Sequence, residues 1–253
     1  MHALKPFNYD HIASFYDAVE ASSELNSTIL NNLISRFKEH GVSRVWDCAC
    51  GTGNQAVGLA ESGFKVTASD LSDQMLDMAK DKTESKNISF HQADLTDFRI
   101  KAVDAAIAIT NVLLHFTEDQ LISSFKNIHC NLKPGGLFIA DFDNRAFLET
   151  PDIIPKGHYL SGEGIIDEKP AHRLTLAENL GEGLFLMNDR WIVEKQTLHE
   201  ASWHLKSWYK SEIENLLEDS GFKVFEWTSR EFETLDLSDI SKYYSLLFVA
   251  QKQ

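Results

Sequence analysis

Val45-Trp46-Asp47-Cys48-Ala49-Cys50-Gly51-Thr52-Gly53-Asn54 is the stretch that decides the fold. A short β-rich run over residues 44–47 leads into two glycines one residue apart, and a helical pattern opens at Gln55. Glycine at 51 and 53 lets the backbone take conformations closed to other residues and leaves room for a ligand against the strand end. The spacing Gly51, Gly53, Ala56 also satisfies a dinucleotide fingerprint, so the glycines alone do not choose the ligand.

Outward from this loop, strand and helix signals alternate. Residues 64–69 read as the next strand, and Ser72 or Asp73 can cap a helix carrying Met75, Leu76, Met78 and Ala79. Residues 88–90 form a third short strand. Residues 103–109 are a nearly continuous apolar run, as expected of a strand covered on both faces. A helix over 117–132 follows, and Pro134-Gly135-Gly136 turns the chain into a strand at 137–140. This alternation implies a parallel sheet with helices on both faces. Ahead of the loop, Ile12, Phe15, Tyr16 and Val19, then Ile29, Leu30, Leu33, Ile34 and Phe37, recur at helical spacing, with Gly41 as a natural stop. After about residue 165 the period changes. Residues 173–178, 184–193 and 198–205 look like a local antiparallel sheet, then a helix ends at Gly221 and two strands close the chain at 224–227 and 243–250. The expected division is a helical arm over 1–40, a core over 41–165 and 207–253, and a β insertion over 166–206.

Lys and Arg number 24 against 38 Asp and Glu in 253 residues, a net charge of −14. So acidic a surface repels a phosphate backbone, and nucleic acid is not an expected partner. No apolar run approaches the ~18 residues of a membrane span. The first residues lack the basic-then-apolar plan of a signal peptide. Three cysteines, Cys48, Cys50 and Cys130, argue against a disulfide scaffold, and two cysteines two apart without a second pair predict no metal site. A cytoplasmic protein with a small-molecule ligand is the expectation.

Asp70 narrows the ligand. At the end of the second strand, its carboxylate can accept hydrogen bonds from both ribose hydroxyls of an adenosine; a helix N-cap role is compatible. Asp94, after the third strand, can accept from the exocyclic amine of adenine, or be a solvated loop acid. Asp47, at the end of the first strand, would repel a pyrophosphate.

Here the chain resembles the class I S-adenosylmethionine (SAM)-dependent methyltransferases, through Asp47 to Gly53, Ser69 to Ser72, Ala93 to Leu95, and Leu132 to Gly136 ahead of a strand. Residues 208–222 look like that family's penultimate helix. The resemblance implies a Rossmann-like α/β fold, a seven-stranded sheet whose last strand is antiparallel, with SAM across the ends of the first strands. It implies that Gly51 and Gly53 pack against the methionine part and that Asp70 holds the ribose. Leu71 and Met75 would lie beside the adenine, Asp94 and Leu95 would read its edge, and Asn111 would make polar contacts near the reactive end. Within the class the chain is most similar to small-molecule enzymes of the glycine N-methyltransferase type, which implies that Tyr9 or Tyr16 covers the cofactor. Two departures stand out. Residues 1–35 hold no arginine for the methionine carboxylate, and Asp143 stands where that family places an arginine for a substrate carboxylate, so an amine or polyol acceptor is expected over glycine.

If the acceptor is a hydroxyl, its proton must be removed, and His115 and Asp143 are the candidate bases, with a structural role open for His115. Arg145 can bind an anionic group or form a surface ion pair. His172, Arg190 and Trp203 lie in the insertion, which either walls the acceptor pocket or forms a homodimer contact. The expected function is methyl transfer to N or O of a small molecule; the alternatives are an NAD(H)-binding oxidoreductase and a non-catalytic SAM-binding module.

Overall fold

A computed structural model describes residues 4–19, 23–154 and 157–253. In chain order the elements are α1 (Ala13–Val19), α2 (Ser23–Glu39), β1 (Arg44–Asp47), α3 (Asn54–Glu61), β2 (Lys65–Asp70), α4 (Asp73–Asp81) and β3 (Ile88–Gln92). Then come β4 (Val103–Ala108), α5 (Glu118–Asn131), β5 (Leu132–Asp143), α6 (Arg145–Leu148), β6 (Tyr159–Ile166), β7 (Lys169–Gly181), β8 (Leu184–Val193) and β9 (Gln196–Lys206). The chain closes with α7 (Lys210–Asp219), β10 (Phe222–Thr228) and β11 (Ser245–Lys252). A short 3-10 turn at Tyr9–His11 precedes α1.

Seven strands form the main sheet in the order β10-β11-β5-β4-β1-β2-β3. Pairing is parallel from β5 through β4, β1 and β2 to β3, while β11 runs antiparallel to both β5 and β10. This is the seven-stranded Rossmann-like architecture that the sequence predicts. β4 is buried on both faces, with Ala105 to Ala108 inaccessible to solvent, which explains its unbroken apolar run. One face packs Trp46, Phe125, Phe138 and Phe248 with Ile213 of α7; the other packs Val45, Ile107 and Ile139 with Leu33 and Phe37 of α2. Each such side chain contributes ~1.5–3 kcal/mol on leaving water, so the sheet centre is the rigid base of the molecule.

Helix starts follow local chemistry. The Ser72 hydroxyl accepts from the Met75 amide at α4, and Thr117 and Gln120 form a reciprocal capping box at α5. Two expectations differ from the structure. Pro134-Gly135-Gly136 lies within β5, where the β4 pairing slips in register, and makes no separate turn. The second sheet has four strands, β6-β7-β8-β9, and begins at Tyr159. β6 carries exposed Leu160 and Ile165, so its apolar residues do not alternate with one buried face, and the period-2 signal is weak there. Among the described residues no helix is long and apolar enough to cross a membrane.

Candidate functional site

The chain leaves β1 toward β2 and β3 on one side and returns to β4 and β5 on the other, so a crevice opens beyond the carboxyl ends of β1 and β4. A cavity of about 380 Å³ fills it, lined among others by Asp47, Gly51, Asp70, Met75, Leu95 and Thr110. That volume lies in the usual range for a small-molecule site, ~300–1,000 Å³.

The glycine loop shapes one wall. Gly51 and Gly53 both have positive φ, 51° and 82°. Gly53 caps α3 in the left-handed region, and a Cβ there would stand 2.8 Å from the Ala79 Cβ, so Gly53 permits α4 to approach rather than lining the cavity. Asp70 is tied into the same loop: Oδ2 accepts from the Gly51 amide at 2.8 Å and Oδ1 from the Ser72 amide at 3.0 Å. Burial raises its pKa, with those amides and that of Leu71 opposing and Asp10 adding to the rise. Asp10, which the motifs do not flag, accepts from the Ser72 hydroxyl at 2.5 Å and lines the cavity beside Asp70. Asp94 spends Oδ1 on the amide and hydroxyl of Thr96, at 2.8 and 2.7 Å. Leu71, Met75, Asp94 and Leu95 all line this end.

Asp47 sits at the tip of β1, only 3% exposed. Burial, then the charge of Asp70, pushes its carboxyl up to about 8, against a hydrogen bond from the Ala49 amide. A cation in the cavity would reverse that rise. Burial likewise pushes the Cys48 and Cys50 thiols up.

At the opposite end, Thr110 and Asn111 both take left-handed backbone conformations, φ 71° and 64°. Such residues are strained, and Asp141 of β5 holds them: its Oδ1 accepts from the Thr110 amide at 2.6 Å and the Asn111 amide at 3.2 Å. Arg230, in the loop after β10, closes the arrangement. Its Nε donates to Asp141 Oδ2, and its Nη2 donates to Asn111 Oδ1 at 2.5 Å and Asp143 Oδ1 at 3.0 Å. The Tyr244 hydroxyl donates to Asp143 Oδ2 at 2.7 Å. Arg230 lines the cavity.

The arm forms the roof. Tyr9 and Tyr16 line the cavity, and the Tyr9 hydroxyl lies 2.9 Å from His115 Nε2. His115 is stacked on Trp203, ring centres 5.2 Å apart, and Phe7 packs against Trp191 and Trp203. Burial, then the charge of Arg173, lowers the His115 pKa to about 4. Lys5 exchanges two 2.9 Å hydrogen bonds with His204 of β9, and Asp17 accepts from Thr52 at 2.5 Å and Asn54 at 3.2 Å. The arm is thereby fastened to both the second sheet and the glycine loop.

The remaining candidate residues stand elsewhere. Asp143, read as a base, has both oxygens committed to Arg230 and Tyr244 and does not line the cavity. Asn111 turns its side-chain oxygen to Arg230. Arg145 pairs with Glu149 at 2.8 Å and lies over the Tyr209 ring. His172 lies within β7, in register with Ile192 of β8. Arg190 pairs with Glu200 at 2.9 Å beside a separate groove. Trp203 is a second layer behind His115, its indole nitrogen donating to buried Asp189 at 2.5 Å. Asp141 could have been found from sequence, since residues two apart on a strand share a face and Asp143 is flagged. Arg230 has no such signal.

Among the described residues, the cavity's charged lining is four acids, Asp10, Asp47, Asp70 and Asp94, against one arginine. It therefore fits an adenosine carrying a cationic tail and disfavours a pyrophosphate. Comparison with known proteins agrees. Residues 45–136 match the family described as methyltransferase domain. A protein of Geobacillus sp. (strain WCH70), provisionally named a methyltransferase, is 26% identical over 96% of this chain and 99% of its own length. Glycine N-methyltransferase of Rattus norvegicus is 30% identical over 49% of this chain and 48% of its own. A SAM-dependent methyltransferase structure from Clostridium acetobutylicum superposes with a TM-score of 0.79 at 18% identity, covering 96% of this chain and 98% of that one. These matches favour methyl transfer over the oxidoreductase and non-catalytic alternatives: residues 45–136 are a methyltransferase domain, and the chain shares the fold of SAM-dependent methyltransferases.

Proposed function

We propose that the protein transfers the methyl group of SAM to the nitrogen of a small amine. The observation that carries this reading is His115, a half-buried imidazole whose pKa is lowered to about 4 and whose Nε2 meets the Tyr9 hydroxyl. A hydroxyl acceptor needs a base near neutrality, and an imidazole held so low is a weak one. A neutral amine brings its own lone pair and needs only alignment. The rat relative is by name an enzyme acting on an amine.

Asp70 with Asp10 would hold the ribose hydroxyls, Leu71 and Met75 would flank the adenine, and Asp94 through its free Oδ2 would accept from the exocyclic amine, over Leu95. Asp47 would face the cationic tail, with Gly51 giving it room and Tyr16 covering it. When bound, SAM supplies an electrophilic methyl on its sulfonium. The chain's own part is geometric. The Thr110–Asn111 turn, held by Asp141, fixes the floor, and Tyr9 and His115 orient the acceptor from above. The arm excludes water. The units we infer are the arm, the SAM-binding core and the antiparallel sheet as acceptor wall.

The test is SAM turnover with matched acceptors, amino sugars and simple amines against the corresponding hydroxyl compounds, followed by release of S-adenosylhomocysteine (SAH). Methylation of amines alone supports the reading. Methylation of the hydroxyl partners at equal rate, lost in His115→Gln, overturns it in favour of O-methylation.

A further inference from the structure

We infer that Arg230 binds the carboxylate of the cofactor's methionine part. The inference deepens the SAM assignment and rests on it. A carboxylate taken into a cavity lined by four acids is costly unless a cation meets it. Arg230 is the one lysine or arginine among the described cavity-lining residues. Arg36, paired with Glu226, and Lys82, paired with Asp17 at 2.5 Å, are not among those lining residues.

Position agrees with this role. Arg230 reaches Asn111 at the end of β4 and Asp141 and Asp143 at the end of β5, on the other side of β1 from the β2 and β3 ends that bear Asp70 and Asp94. The adenosine occupies the latter end in the proposed binding mode, so the amino-acid tail extends toward Arg230. A guanidinium offers five N–H donors in a planar fork. The bonds to Asp141, Asn111 and Asp143 use Nε and Nη2, and no described residue accepts from Nη1.

The side chain is also presented rigidly. The Ser229 hydroxyl accepts from the Glu231 and Glu233 amides, both at 3.2 Å, and Thr228 bridges Thr234 across the loop. The Arg36 guanidinium lies over the Phe232 ring, which fastens the loop to α2. A carboxylate arriving at Nη1 thus meets a donor whose other contacts already fix its direction, and little rotamer freedom remains to be lost on binding.

Calorimetric titration of wild type and Arg230→Met with two ligands tests the inference. One ligand is SAH; the other is S-adenosyl-3-thiopropylamine, which is SAH without its carboxylate. Wild type should prefer SAH, and Arg230→Met should lose at least about tenfold in SAH affinity and less than about twofold for the decarboxylated ligand. Equal losses for both ligands, or none for either, overturn the inference and leave Arg230 a brace for the Thr110–Asn111 turn. If Arg230→Met does not fold, Arg230→Lys keeps a cation on Asp141 and Asp143 and must show the same selective loss in smaller measure. Failure of wild type to bind either ligand would instead remove the cofactor assignment itself.

Discussion

The proposed adenosine end of the cavity and its proposed acceptor end are built on opposite plans. At the adenosine end, Asp70 grips the amides of Gly51 and Ser72, and Asp94 grips its neighbour Thr96, so the wall comes from the turns that follow β1, β2 and β3. At the acceptor end, Tyr9 meets His115 and Arg230 meets Asn111, contacts spanning 106 and 119 residues of chain. The first wall is stapled to the rigid sheet by its own backbone. The second exists only when the arm, the second sheet and the last loop have all docked. Substitutions at the first end should therefore weaken cofactor binding; at the second, those of Tyr9 and His115 should leave binding and damage turnover, while Arg230, reaching the methionine part of the cofactor, should weaken binding as well.

The largest effect should come from Asp70→Ala. It removes two backbone acceptor contacts that set the glycine loop as well as the proposed ribose acceptor, each charge-assisted bond being worth ~1.5–3 kcal/mol. SAH affinity by calorimetry should fall about 100-fold or more. A loss below about threefold would mean that the local wall does not bind the ribose and would break the comparison at its root.

This contrast also explains what can be read from the chain alone. Gly51, Asp70, Leu71, Met75, Asp94 and Leu95 fall on one cavity wall because each stands at a fixed offset from a strand end, and strand ends are marked by hydrophobic period. Gly53 has the right position but another task, seating Ala79 of α4. Periodicity also yields the main sheet. It does not yield β6, nor does it carry Arg230 from the β10–β11 loop to Asp141, because no local rule links residues 89 apart. Asp143, two residues beyond Asp141 on the same strand face, looks like a free acid until Arg230 and Tyr244 are placed on it. Arg145, His172 and Arg190 are chemically apt, yet ion pairs and strand register direct them elsewhere.

Asp47 stands on the seam between the two ends, and pH should expose it. Its folded pKa is raised to about 8, whereas an unfolded chain holds aspartate near ~3.9. Between those values the folded apoprotein binds a proton that the unfolded chain has released, so this group's contribution to stability falls as pH rises through the window. A bound cation favours the carboxylate, so SAM binding below about pH 8 should release a proton, and affinity should rise with pH, approaching tenfold per unit for one group. Asp47→Asn should flatten that slope. A wild-type affinity independent of pH between 6 and 7.5 would show that Asp47 does not sense the cofactor's charge.

Tyr9→Phe isolates the acceptor end. It deletes one hydrogen bond to half-buried His115 while keeping the ring in its contacts with Phe7 and Tyr16. A net cost of ~0.5–1.5 kcal/mol placed on the transition state lowers kcat about fivefold, with SAH affinity unchanged within twofold. An equal loss of SAH affinity would mean that the roof belongs to cofactor binding, and the two ends would merge into one site.

The smallest effect probes the fastening between them. Asp17 of α1 receives Thr52 and Asn54 of the glycine loop and pairs with Lys82, so one carboxylate couples the arm to the adenosine wall. The pair with Lys82 is 29% and 31% exposed, and screening by solvent leaves such an ion pair ~1 kcal/mol at most. Asp17→Asn should therefore cost only about two- to threefold in SAH affinity. The loss should appear in a faster off-rate, because the arm must lift before a ligand beneath it can leave. Stopped-flow displacement separates the rates. A slower on-rate with an unchanged off-rate would mean that the arm is shut before the ligand arrives. Docking of the acceptor wall would then precede cofactor entry, and the two ends would no longer assemble independently.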